Sequence, residues 1–361
     1  MKDPSAIQRD LSISAEEYAC ILRSDLTSFI EASFYELYPG KRLDLAPHIE
    51  VVATKLERVR RGEIKRLIIN LPPRHLKSHC VSVAFVVWML GHDPVTHVIC
   101  ASYGQDLADE FASACQRLMR SSLYRTLFGD VLGGRQAVND FETVLGGRRL
   151  ATSVGGALTG RGADIIILDD PHKADEALSE PSRNATHSWF ENTLLNRLND
   201  RAQDAIIIVM QRQHPEDLVG HVLKKKGDWD VLRLPAIAEG EECHLIEGPL
   251  GRRFFRRRRG DALHPERESA ASLAEIRRGV SVLCFASQYQ QNPTSLEQIR
   301  ARKAELDRRS SEAYRAGDWL TFGRIFHCQT TGTREDEITD EQAMAAYKRY
   351  QALAARIDSE Y

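Results

Sequence analysis

The sequence lacks paired cysteines and an excess of either charge. Its seven cysteines are scattered along 361 residues, and no two of them are spaced as C-x-x-C. This spacing argues against a zinc site and against a disulfide framework, and it suits a reducing compartment. The 49 Lys and Arg residues balance 51 Asp and Glu residues, which gives a formal net charge of −2. The chain as a whole is therefore not a basic nucleic-acid binder, and any such contact must come from a local patch.

Long apolar runs are also missing. The longest falls well short of the roughly 18 residues that a membrane-spanning helix needs, and the opening MKDPSAIQRD is not a secretory signal. Apolar residues nevertheless make up 42% of the chain, which is enough for a sizeable core. We expect a soluble cytoplasmic protein without membrane contact, built as one large domain with appendages or as two domains.

A strand, a tight loop and a helix follow one another from RLIINLPPRHLKS onwards. Residues 67–71 form a short apolar run that is typical of a strand buried on both faces. Lys77 and Ser78 come next, and the apolar segment from Cys80 to Leu90 opens a helix. In a phosphate-binding loop of this layout, backbone N–H groups hold the phosphates, Lys neutralises them and Ser ligates Mg²⁺. The sequence therefore predicts a nucleotide phosphate site, called here the phosphate loop (residues 71–78).

The phosphate loop departs from the usual pattern, G-x-x-x-x-G-K-[ST]. Leu71 and Leu76 stand where glycines are expected, and the two prolines that follow Leu71 supply no N–H. Arg74 adds a second cation. Four amides remain available to a phosphate, those of His75, Leu76, Lys77 and Ser78. The alternative is an ordinary strand-to-helix turn with a surface lysine.

A second strand ends in two carboxylates. Residues 165–168 are apolar, and Asp169 and Asp170 follow them. Ligands bind at the carboxyl edge of the strands in an open parallel sheet, so we expect Asp169 to hold Mg²⁺ and Asp170 to orient and deprotonate an attacking water. An Asp-Asp-Pro turn is the alternative for this segment taken alone. Together with Lys77 and Ser78, the pair favours a nucleotide hydrolase.

Arginine and glutamine side chains complete the candidate site. Phosphoryl transfer needs positive charge on its transition state, and the candidates are Arg74, Arg161 and Arg212. A structural salt bridge is the alternative for each of them. Gln211 ends the strand AIIIVM and is predicted to contact the terminal phosphate or its water.

Predicted strands and helices alternate before residue 293. Helices are predicted at 12–35, 47–61, 105–121, 179–199 and from Pro215, and strands at 67–71, 96–101, 164–170, 205–210 and 229–234. A hairpin is predicted around Gly146-Gly147. This order is typical of a mostly parallel α/β sheet with helices on both faces. We predict a helical segment at 1–60, a nucleotide-binding domain at 61–293 and a helical tail at 294–361, with helices at 295–316 and 340–358.

Six arginines surround two phenylalanines in residues 252–259, RRFFRRRR. A run of this kind usually lies in a solvated loop. The alternative is a contact to the backbone of a nucleic acid. Both interpretations stay open from the sequence.

Seven blocks stand in order between residues 30 and 293: NLPPRHLKS, ASYGQDLADEF, GALTGRGADIIILDDP, VMQRQHPEDLVGHVL, LPAIAE, GDALHPER and FASQYQQNP. Together they resemble the large terminase subunit of tailed bacteriophages and prophages, the ATP-driven motor that packages DNA. The chain is similar to the subgroup whose phosphate loop reads P-P-R-H-x-K-S, which also lacks the glycines.

The resemblance implies a RecA-like P-loop NTPase of the ASCE type that uses ATP and Mg²⁺. It implies that Arg74, Lys77 and Ser78 act on phosphates and magnesium, and that Asp169 and Asp170 act on the metal and the catalytic water. Gln211 then belongs to the motif that couples hydrolysis to movement. The adenine contact is expected between Tyr38 and His48.

The expected partners of such a motor are double-stranded DNA, a portal protein and a small terminase subunit, in a homo-oligomeric ring within the bacterial host cytoplasm. A large terminase continues after its QYQQNP block into a nuclease domain, and this sequence departs from the family directly after Pro293. We therefore expect no nuclease site on this chain. The alternatives are another nucleic-acid-dependent, helicase-like ATPase, and a truncated prophage remnant without motor activity.

Overall fold

The computed structural model describes residues 14–225, 227–249, 251–294, 296–331 and 335–360. The chain divides into two compact units, Met1–Pro293 and Thr294–Tyr361. Within the described ranges, no helix is both long and apolar enough to span a bilayer. The expectation that the first ten residues are not a secretory signal concerns residues outside the described part.

An eight-stranded sheet forms the centre of the first unit, in the spatial order β3-β4-β5-β2-β6-β7-β1-β8. The strands are β1 Arg66–Asn70, β2 His97–Ser102, β3 Leu132–Ala137, β4 Asp140–Thr143, β5 Arg148–Ser153, β6 Ile165–Asp169, β7 Ala205–Met210 and β8 Asp230–Arg233. The six strands from β5 to β8 are parallel, and β3 and β4 are antiparallel. The sequence-based prediction of a mostly parallel sheet is therefore confirmed.

One strand separates the strand of the phosphate loop from the strand of the two carboxylates. β7 pairs with β1 on one side and with β6 on the other. The order of these three strands is therefore β1-β7-β6. It places the carboxyl ends of β1, β7 and β6 side by side at one edge of the sheet, where ligands bind in open α/β folds.

Helices cover both faces of the sheet, as predicted. In the first unit they are α1 Ala15–Ser24, α2 Leu26–Leu37, α3 Pro47–Arg60, α4 Val86–His92, α5 Gln105–Met119, α6 Ser122–Phe128, α7 Glu180–Trp189, α8 Leu218–Lys224, α9 Ala270–Gly279 and α10 Val282–Cys284. A π-helical segment, His79–Phe85, leads from the phosphate loop into α4. Alternate residues of β1 face opposite cores: Leu67 packs with the core that contains Phe29 and Phe85, and Ile68 packs with the core that contains Trp189.

The predicted helix at 12–35 is two helices, and residues 12 and 13 lie outside the described part. Asp25 ends α1, where its backbone is extended (φ −132°), and its carboxylate caps α2 by accepting a hydrogen bond from the amide of Ser28 at 2.8 Å. A capping aspartate inside an apolar-periodic stretch interrupts the helix without a proline or glycine. The helix predicted from Pro215 begins at Leu218, because Asp217 is its cap.

The arginine run is not the loop that its composition suggested. Residues Gly251–Arg257 form β10, which pairs with β9 (Glu242–Gly248) in an antiparallel hairpin that was not predicted from the sequence. Arginines at four of its seven positions conceal the two-residue period of this strand. The hairpin packs on α3, where Thr54 exchanges hydrogen bonds with the backbone of Glu247.

The second unit contains three helices: α11 Leu296–Ala316, α12 Trp319–Thr331 and α13 Asp340–Glu360. The first and the last correspond to the predicted helices, and α12 was not predicted. Six aromatic rings pack between them: Tyr314, Trp319, Phe322, Phe326, Tyr347 and Tyr350. The described residues of this unit include no strand.

Arg257 stabilises the hairpin from its buried side, and replacement of this arginine tests that role. Its side chain is buried, and it donates hydrogen bonds to Glu242 at 2.6 Å and to the carbonyl of Pro235 at 2.9 Å. Arg257→Ala leaves that carboxylate without its main partner, so we expect the free energy of unfolding in urea to fall by about 2–3 kcal/mol. Arg258→Ala, which removes an exposed guanidinium one residue later, is the control and should change it by less than about 0.5 kcal/mol. Equal losses in both variants would contradict this role of Arg257.

Candidate functional site

The backbone of the phosphate loop has the shape that glycines normally provide. Arg74 and Leu76 both have left-handed conformations, with φ of 65° and 59°. Leu76 is the residue that replaces the second expected glycine, and it keeps the conformation despite the steric cost of a side chain there. The amides of residues 75–78 donate to no protein acceptor in the described part of the chain. Successive amides in such a turn form a concave anion site.

Lys77 connects the phosphate loop with two neighbouring strands. Its side chain is largely buried, and its Nζ lies 2.8 Å from Oδ2 of Asp170 and 3.1 Å from Oε1 of Gln211. Asp170 directly follows β6, and Gln211 directly follows β7. The strand order thus brings together three residues that the sequence singled out separately.

Asp169 is held from two sides by serines of one helical turn. Ser78 donates a hydrogen bond to Oδ1 at 3.0 Å, and Ser82 donates one to Oδ2 at 2.6 Å. Ser82 is buried and was not predicted from the sequence. Its position four residues after Ser78, on the same face of the helix, is the signal that would have found it.

Burial of Asp169 and the nearby charge of Asp170 raise the pKa of the Asp169 carboxyl to about 7, against the opposing effects of Lys77, Ser82 and Ser78. A carboxylate this deeply buried is costly unless a cation compensates it. A divalent metal ion held by Ser78 and Asp169 would supply that compensation, because hydroxyl and carboxylate oxygens are the ligands that Mg²⁺ prefers.

Asp170 also has a left-handed backbone, with φ of 47°. Its backbone is fixed by two hydrogen bonds, from its own amide to the carbonyl of Val209 (3.0 Å) and from the amide of Tyr103 to its carbonyl (3.2 Å). The amide of Gln211 donates to its Oδ1 at 3.3 Å. Strained residues held by several contacts cluster at functional sites, and this one is held between three strands.

A cleft of about 630 Å³ opens over the phosphate loop. The loop residues Arg74, Leu76, Lys77 and Ser78 line it, together with Phe34 and Tyr38 of the preceding helical segment. Six cationic side chains line this cleft against one acidic side chain, Glu110: Lys41, Arg42, Arg74, Lys77, Arg117 and Arg267. A cleft with this charge suits a polyphosphate.

Only one of the three arginines proposed for the transition state lies at this cleft. Arg74 belongs to the phosphate loop, and its side chain is exposed and lines the cleft. Arg161 lies 3.6 Å from Asp140 and lines a small cavity with His97, at the opposite end of the strands. Arg212 is paired with the fully buried carboxylate of Asp217 at 2.9 Å, which caps α8. For Arg161 and Arg212 the structure therefore favours the salt-bridge alternative.

The imidazole of His75 does not line the cleft over the phosphate loop. The ring is buried, its Nδ1 lies 2.9 Å from the carbonyl of Pro73, and it packs against the rings of His48 and His264. Burial lowers the pKa of His75 to about 4, so the ring is neutral at pH 7. His75 can contribute its amide to a phosphate, but not a positive charge.

No protein-family model matches the chain, and no curated protein is significantly similar to it. Among solved structures, it is similar in fold to the ATPase domain of the Thermus phage P74-26 large terminase, at 14% identity, with 71% of this chain and 95% of that chain covered and a TM-score of 0.44.

The match to the bacteriophage HK97 large terminase covers 59% of this chain and 44% of that one, at 12% identity and a TM-score of 0.39. A yeast (S. cerevisiae) Dbp5 structure matches over 58% and 52%, at 13% identity and a TM-score of 0.36. The chain therefore spans less than half of the HK97 protein. At these identities and TM-scores, the likenesses carry nothing about function.

The raised pKa of Asp169 predicts how stability depends on pH. Because its folded-state pKa lies above the unfolded value of about 3.9, the group stabilises the fold at low pH and that contribution disappears as pH rises towards about 7. Asp169→Asn removes this titration. The measured quantity is the free energy of unfolding of the parent minus that of the variant. We expect this difference to fall by up to about 1.4 kcal/mol per pH unit between pH 5 and pH 7, and then to level off. Urea unfolding of both proteins without metal and nucleotide measures it; a difference that stays constant with pH would contradict the assignment.

Proposed function

We propose that the chain is a P-loop ATPase that hydrolyses Mg·ATP and works on DNA as a terminase-like motor. The observation that carries the proposal is the contact of Lys77 with both Asp170 and Gln211 beneath a loop of available amides. A surface lysine in an ordinary turn would not be buried against a paired carboxylate. The residues thus fit a nucleotide phosphate, a metal ion and an activated water in one place.

Phosphate binding falls to the loop in this proposal. The amides of residues 75–78 donate to phosphate oxygens, and the guanidinium of Arg74 adds positive charge from the exposed side. Lys77 turns from Asp170 to the phosphates, which compensate its charge as the carboxylate did before. We propose that the adenine ring binds at the cleft walls formed by Phe34 and Tyr38. Tyr38 lies within the region predicted for the adenine contact, Tyr38–His48, and Phe34 lies next to it.

The metal site of the proposal consists of Ser78 and Asp169. When bound there, Mg²⁺ neutralises phosphate charge during transfer. Ser82 keeps the Asp169 carboxylate in one orientation through the hydrogen bond to Oδ2, and Ser78, which is bonded to Oδ1, offers its hydroxyl oxygen as the second ligand. The chain's contribution is a rigid, dry carboxylate next to the phosphate loop.

Asp170 is the proposed general base. As long as Lys77 holds its Oδ2, the carboxylate is engaged, and it becomes available to a water when the lysine moves to the nucleotide. In the same step Lys77 breaks its hydrogen bond to Gln211, so nucleotide binding changes the contacts at the end of β7. Arg212 and Asp217 connect this strand end to the start of α8, which is a direct route by which the change reaches a helix.

Translocation of double-stranded DNA is the proposed use of this hydrolysis, with the portal protein and small terminase subunit as partners and a homo-oligomeric ring as the assembly. We place the motor domain at 61–293 and propose that no nuclease site exists in the helical unit. In its described residues, Asp307, Asp318, Glu335 and Asp336 lie on helices or at their ends, not at strand ends.

Hydrolysis of ATP with and without linear duplex DNA tests the proposal. We expect Mg²⁺-dependent turnover that DNA stimulates, and a loss of at least 100-fold, on the order expected for catalytic groups, in Lys77→Ala and Asp170→Asn. The control is Lys224→Ala, an exposed lysine of α8 that pairs with Glu216 and should leave turnover unchanged.

Two other outcomes would decide against parts of the proposal. Turnover that DNA does not affect, or activity that separates the strands of a tailed duplex, would contradict the packaging role and favour a different nucleic-acid-dependent ATPase. Absence of turnover in the parent protein, both alone and with DNA, would favour an inactive remnant.

A further inference from the structure

The strand conformation of the arginine run sorts its side chains into two rows. One row, called here the inward row, is Arg253, Phe255 and Arg257. Each member contacts the rest of the first unit, although the Arg253 side chain remains 57% exposed. Arg253 pairs with Glu50 of α3, Arg257 pairs with Glu242, and Phe255 packs on the core. These residues are structural, and the solvated-loop interpretation does not describe them.

The other row, called here the exposed row, is Arg252, Phe254 and Arg256, together with Arg258, which directly follows the strand. Phe254 is 56% exposed, which is unusual for a large aromatic ring. The guanidinium of Arg256 lies over that ring, 5.9 Å from its centroid. Arg252 is paired with Glu247 at 2.8 Å, but its side chain remains 77% exposed. No carboxylate of the described residues lies within ion-pair distance of the guanidinium of Arg256 or of Arg258, although the Asp261 carboxylate accepts a hydrogen bond from the Arg258 amide at 2.7 Å.

We infer that the exposed row is a docking surface for the phosphate backbone of duplex DNA. Arginines without a protein counter-charge, next to an exposed ring, are complementary to a phosphate backbone and its sugars. The cation–π contact of Arg256 with Phe254 restricts the cation before DNA arrives, which reduces the entropy cost of binding. Glu247 does not repel the phosphates strongly, because Arg61 and Arg252 both hold it.

This surface gives the proposed motor a place to hold DNA that is separate from its nucleotide cleft. The inference rests on the proposed function for its choice of duplex DNA as the partner. The net charge of the whole chain is −2, so a local cationic strip is needed for such a contact. The hairpin also packs on α3 through Thr54 and Glu247, and α3 begins beside His48, a neighbour of the phosphate loop.

Binding of a fluorescent 30-bp duplex, measured by anisotropy across a range of salt concentrations, tests the inference. Each phosphate that the protein no longer neutralises lowers the slope of log K against log salt by about 0.9. We expect a fall of about 0.9 for Arg256→Ala and of about 1.8 for the double variant with Arg258→Ala. Arg256→Lys keeps a cation and should keep most of the slope.

The matched control is Arg253→Ala, which removes one charge from the same strand but from the inward row. We expect its slope to equal that of the parent. Far-UV circular dichroism and DNA-independent ATP hydrolysis should be unchanged in the exposed-row variants, so that weaker DNA binding does not reflect unfolding.

Three results would overturn the inference. An unchanged slope in Arg256→Ala, or an equal fall in Arg253→Ala, would show that the exposed row makes no specific contribution. Displacement by poly-glutamate as effective as by duplex DNA would assign the surface to an acidic protein. If the parent binds no duplex but still hydrolyses ATP, the docking surface and the packaging role both fail, while the ATPase assignment stands.

Discussion

The contact of one buried ammonium with two strand ends is the constraint on which the site depends. Lys77 cannot be buried without a counter-charge, because an unpaired ammonium in the interior costs several kcal/mol. Asp170 supplies the charge at 2.8 Å and Gln211 a further oxygen at 3.1 Å. Both depend on β7 lying between β1 and β6, so the sheet order, the loop shape and the strained aspartate are parts of one arrangement.

Much of this was predictable, because buried parallel strands have a simple signature. β1, β6 and β7 are strands of five or six residues that contain apolar runs of three to six residues, and the polar residues of the site follow at their carboxyl ends. The alternation of strands and helices then predicts a parallel sheet, and a parallel sheet aligns those ends. Lys77, Asp169, Asp170 and Gln211 were identified for this reason.

Other features depend on contacts that no local pattern reveals. The left-handed conformation of Leu76 replaces an expected glycine, and only the fold shows that the loop shape survives the substitution. Ser82 lies inside an apolar helix, where its spacing of four residues from Ser78 gains a meaning only once Asp169 is found beside both serines. The period of β10 is hidden by arginines on both faces, and its inward arginines are explained by Glu50 and Glu242, which lie on other elements.

The most direct test of the phosphate site is calorimetric titration of the protein with a non-hydrolysable ATP analogue, with and without Mg²⁺. We expect one site per chain whose affinity is higher with Mg²⁺ and falls by about 10- to 100-fold in Lys77→Ala, the effect of removing a charge-assisted hydrogen bond. Equal affinity of the parent and Lys77→Ala, or no binding to the parent at all, would contradict this expectation, because the phosphate loop would then not be a phosphate site.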